Sequence, residues 1–67
     1  MKRHTYEIYV SVGKEALKKM FEMYSHNDAE IIKQTAKILI NVKCIYDDVN
    51  IEIIAKQGNR QVLHLTA

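Results

Sequence analysis

Few side chains in this chain have the company that chemistry needs. Asp47-Asp48 is a carboxylate pair, but it has no histidine motif or glycine-rich loop beside it. No Ser, Thr or Cys sits in a nucleophile motif and no phosphate loop is present, so the chain does not read as an enzyme. His4, His26, His64 and Cys44 lack the short spacings of a zinc site, so neither metal nor cofactor is expected. Binding chemistry is better represented. Lys2, Arg3 and His4 form a basic start that could touch phosphates or a groove, or simply stay solvated. Tyr9 could stack on a base or pack against a neighbour, and Ser11 is a donor that could equally be an ordinary strand residue. His26 is a loop histidine that a phosphate could meet. His64 is expected to pair with Glu52 across a hairpin. Cys44 reads as a small buried hydrophobe rather than a reactive thiol.

The elements that must position these groups have little to work with. A chain of 67 residues makes one domain, residues 1–67, whose burial is marginal at this length. Disulfides within the chain are excluded by a single cysteine, and that lone thiol fits a reducing cytoplasm. With metal also set aside, a second copy of the chain is the remaining source of stability. Apolar residues make up 48% of the chain, which favours an ordered fold. No apolar run exceeds three residues, as in Ile38-Leu39-Ile40, which is far too short to span a membrane, and no apolar segment follows the basic start as in a signal peptide. A net charge of +2 permits nucleic-acid binding without requiring it.

Along the chain, Tyr6, Ile8, Val10 and Val12 alternate with Thr5, Glu7, Tyr9 and Ser11, the period of a half-buried strand. From Lys14 to Tyr24 the spacing of Leu17, Met20, Phe21 and Tyr24 predicts a helix. Asn27 and Glu30 have capping-box spacing, and they open a second predicted helix from Asp28 to about Tyr46. Its apolar surface is wide, since Ile40 and Cys44 lie off the main stripe. The last third predicts a hairpin over 49–66. A three-residue loop, Gln57-Gly58-Asn59, would pair Lys56 with Arg60 and place Ile51, Ile53, Leu63 and Leu65 on one face. The expected fold class is α+β, in the order β-α-α-β-β.

The alternating strand Tyr6–Val12, the helix carrying Leu17 and Met20, and the capped run Ala29-Glu30-Ile31-Ile32-Lys33-Gln34 together resemble the ribbon-helix-helix family of Arc/MetJ/CopG-type DNA-binding proteins. The resemblance covers residues 5–46, preceded by a flexible basic arm over 1–4 and followed by the hairpin. It implies a homodimer whose first strands pair into an antiparallel ribbon. Thr5, Glu7, Tyr9 and Ser11 would then read bases in the major groove of double-stranded DNA. It also implies that Ser25, His26, Asn27 and Lys33, with Lys2 and Arg3, would meet the DNA backbone at the start of the second helix. The implied function is a cytoplasmic transcriptional regulator that acts by covering an operator. A second reading stands beside it: a protein-interaction module, such as an antitoxin or a mobile-element inhibitor of a host protein, that binds no DNA. The acidic helix start Asp28/Glu30 and the hairpin edge strands, which could accept a partner protein, favour that reading.

Overall fold

The computed structural model describes residues 3–67 as a four-stranded antiparallel sheet with one helix against it. The elements are β1 (His4–Val12), β2 (Lys18–Ser25), α1 (Asp28–Ile45), β3 (Ile51–Gln57) and β4 (Arg60–Thr66). The sheet order is β2-β1-β3-β4, so α1 connects an edge strand to a central one. Two expectations fail here. The order is β-β-α-β-β rather than β-α-α-β-β. Moreover, β1 is paired with β2 on one side and β3 on the other throughout Glu7–Val10, so the middle of the strand has no free edge for a ribbon with a second chain. The ribbon-helix-helix architecture is therefore not the fold of this chain.

The predicted first helix is β2, and a bulge explains the misreading. Ile8 pairs with Phe21 while Tyr9 pairs with Lys19, leaving Met20 as an extra residue. An inserted residue breaks the period of two, because the faces on either side of it fall out of step. Apolar residues at 20, 21, 23 and 24 then imitate helical spacing. The stretch also has no Ser, Thr, Asp or Asn immediately before its start to accept from the first-turn amides, and its Phe and Tyr suit a pleated surface.

Alternation on β1 places Tyr6, Ile8 and Val10 in the core, where they meet Ile31 of α1 and Ile51, Ile53 and Ala55 of β3. The helix lies more over β3 and β4 than over β2. It starts where the spacing placed it. Asn27 adopts an extended backbone, and its side-chain oxygen accepts from the Glu30 amide at 2.9 Å. The role expected of the Glu30 carboxylate falls instead to Ser25, whose Oγ accepts from the Asn27 amide at 3.3 Å.

The hairpin turn is Gly58-Asn59, between paired Gln57 and Arg60, and not the three-residue loop. Gly58 takes φ 62°, which a type II′ hairpin turn asks of its first residue. A two-residue turn alone would split the apolar residues between faces. A second bulge, with Val62 as the extra residue between pairs Lys56–Gln61 and Ala55–Leu63, restores them to one face. Register is thereby shifted: Ile53 pairs with Leu65, and His64 with Ile54.

A polar cluster ties the layers together. The buried Tyr6 hydroxyl donates to Asp28 Oδ1 at 2.7 Å, and Arg60 grips both Asp28 oxygens at 2.9 and 3.0 Å. One carboxylate at the helix start thus joins β1, α1 and β4. The Arg60 hydrogen bonds, then that from Tyr6, hold the Asp28 carboxyl down at about 2, while burial and the Asp28 partner raise the Tyr6 phenol. A carboxylate depressed below its ordinary 3.8 stabilises the fold above that value, and loses the contribution as pH falls through about 2. Acid titration of the far-ultraviolet circular dichroism should therefore show stability declining between these limits, and Asp28→Asn should remove that component of the decline. One buried group lacks a partner. Thr35 is fully buried, and its hydroxyl meets no acceptor or donor among the described residues. Thr35→Val keeps the shape and removes the unsatisfied hydroxyl, so urea unfolding should report a gain of about 1 kcal/mol.

Candidate functional site

The helix covers one face of the sheet, and the other is open. Thr5, Glu7 and Tyr9 do alternate onto this open face, as their spacing required. Each of the last two is engaged within the sheet. Glu7 accepts from Lys19 Nζ at 3.5 Å, and the Lys56 ammonium lies 5.4 Å from the Tyr9 ring centre. Such a cation over a ring face is attracted by the ring quadrupole. Ser11 is buried, and its hydroxyl donates to the Glu15 carbonyl of the β1–β2 loop. His64 Nε2 lies 2.6 Å from Glu52 Oε2, although the two residues are diagonal neighbours and not a direct pair. The open face therefore carries acids and bases that largely neutralise one another.

The residues expected at a DNA backbone are placed elsewhere. Ser25 and Asn27 build the helix cap, His26 is exposed between β2 and α1, and Lys33 is exposed on the helix. Since α1 packs on the face opposite Thr5, Glu7 and Tyr9, the structure does not bring the two sets to one surface. Arg3 is exposed just before β1, and Lys2 lies outside the described residues. Cys44, expected in the core, is exposed. Among the described residues, no three His, Cys, Asp or Glu side chains gather as a metal site would require, and no helix is long and apolar enough to cross a membrane.

A different surface has the geometry of a binding site. Because α1 sits toward β3 and β4, the flank of the sheet beside β2 is left partly uncovered. There a groove of about 350 Å³ opens between β2 and the helix, with Val10, Val12, Ile38, Val42 and Tyr46 as its apolar walls. Met20 and Phe21, both turned to this side by the bulge, form its outer lip. Met20 is 61% exposed and Phe21 39%, a large apolar outlay for a chain with so small a core. Alongside runs β2 itself, a sheet edge whose outward backbone groups have no strand beside them among the described residues. An apolar groove next to an unpaired edge offers both things an extended peptide segment needs: a ladder for its backbone and a pocket for alternate side chains.

Electrostatics adds a direction to this edge. Glu22 lies directly opposite Glu7 on the open face, a like-charge pair, and Lys19 is engaged with Glu7. Glu22 has no ion-pair partner among the described residues. None of these edge residues stood out in the sequence, because Met20 and Phe21 fitted the core stripe of a supposed helix. The available signal was the Phe21-Glu22-Met23-Tyr24 alternation. No protein-family model, no curated protein and no solved structure matches this chain. Relief of the repulsion is measurable: Glu22→Gln should raise stability by about 0.3 kcal/mol in thermal melts at low ionic strength, and salt should shrink the gain.

Proposed function

We propose that this chain is a non-enzymatic protein-interaction module that takes an extended segment of a partner along the β2 edge, with apolar side chains of that segment seated against Met20, Phe21 and Tyr46. The observation that carries this reading is the coincidence of an unpaired strand edge with an apolar groove on its helix side. Main-chain hydrogen bonds to β2 would supply most of the affinity, and the groove would select the side chains. The engaged charges of the open face support protein over phosphate as the ligand. Glu7 holds Lys19, Glu52 holds His64, and Lys56 sits over Tyr9, so on that face the side chains expected to read bases are already engaged with one another.

The reading is tested with peptides selected from a displayed random library against the whole chain. Selected peptides should be extended and apolar at alternate positions, and their amide shift perturbations should concentrate on Lys18–Ser25 and the groove. Met20→Glu should weaken their binding on the order of tenfold or more, by placing a charge where an apolar side chain docks. Perturbations confined to the open face or to α1 would sink the reading. Salt-sensitive retention of mixed-sequence duplex DNA would favour an operator-binding protein instead.

A further inference from the structure

From the same edge, and resting on its reading as a strand-docking site, we infer that the occupant of β2 is β2 of a second copy of this chain, paired antiparallel about a two-fold axis between Met20 and Phe21. The first ground is the bulge. Lys18, Met20, Phe21 and Met23 lie on the helix side of the sheet, whereas Lys19 and Glu22 lie on the open side. Read from 18 to 23, the sides run helix, open, helix, helix, open, helix, and the order is the same backwards. The regular strand β1 keeps its faces matched to β2 only by leaving Met20 without a partner. An inverted copy of β2 carries the same step at the same place and stays in phase throughout.

The second ground is charge. The register that preserves the faces sets Lys18 opposite Met23 of the other copy and Met20 opposite its Phe21. It also sets Lys19 opposite Glu22, twice by symmetry. Glu22, repelled by Glu7 within its own chain and unpaired among the described residues, thereby gains a cation. Opposite charges directly across a ladder are favourable, and like charges are not. Met20 and Phe21 of both chains would meet at the axis on the helix side. There they join the two grooves into one covered apolar layer, and the two sheets become continuous. Such an isologous contact is the commonest form of closed oligomer.

The experiment is the solution mass of the full chain by light scattering and sedimentation at micromolar concentration and moderate salt, with two variants. The wild type is expected at twice the mass of one chain. Glu22→Lys makes the edge uniformly basic, while within the chain it replaces the repulsion from Glu7 with attraction. It should fold, as circular dichroism would show, and associate on the order of 100-fold more weakly. Lys19→Glu combined with Glu22→Lys restores opposite charges across the axis and should recover the dimer. A monomeric wild type overturns the inference, as does a Glu22→Lys variant that dimerises undiminished or a double variant that fails to recover. A monomeric wild type that still binds selected peptides along β2 leaves the docking reading standing without the second copy. A monomer whose β2 takes no peptide removes both.

Discussion

The burial of one side of β1 organises this molecule. Tyr6, Ile8 and Val10 must leave water together, because strand geometry points them the same way. A strand with one apolar face needs neighbours on both edges to satisfy its backbone and a layer above to cover its side chains. Here β2 and β3 supply the edges and α1 the cover. The single carboxylate of Asp28, held by Tyr6 from below and Arg60 from the side, fixes where the helix starts over that face. With the helix anchored at its first residue and inclined toward β3 and β4, the flank by β2 is left thinly covered. The groove follows from that placement.

Two bulges carry much of the remaining logic. The one at Val62 reconciles a tight Gly58-Asn59 turn with a hairpin whose Leu63 and Leu65 must face the helix. The one at Met20 does the reverse of closing a core, because it turns an extra apolar side chain onto the helix side at the rim of the sheet. Bulges and lysines are familiar ways to guard an edge against unwanted pairing. On β2 they guard it selectively. Lys18 and Lys19 disfavour a basic strand, and the step at Met20 is matched residue for residue by an inverted strand that carries the same step.

Much of this fold was legible from residue spacing. The alternation of Tyr6 to Val12 located β1 and its faces, Asn27 marked the helix start, and the Gln57-Gly58-Asn59 stretch located the final turn, though the turn takes two of these residues and not three. The contact between His64 and Glu52 was also foreseeable, though not its register. Spacing misled wherever an inserted residue interrupted a strand. Met20 made β2 look helical, and Val62 made a two-residue turn look impossible. Neither bulge has a glycine to announce it, and a period of two with one extra residue is indistinguishable from helical spacing over so short a run.

Which residues alternate, where a cap can form and where glycine must turn the chain are local properties, set by sterics and hydrogen bonding within a few residues. They could be read from the amino acids alone. The neighbours of β1 are a non-local matter. Lying at the sheet centre, it cannot be the ribbon that its own pattern would equally allow, and that was decided by β2 and β3 competing successfully for its edges. Of the two edges left open, β2 and β4, the one whose side chains line the groove is β2. Its exposed Met20 and Phe21, unremarkable as letters, became a docking lip only because the helix settled over the other half of the sheet.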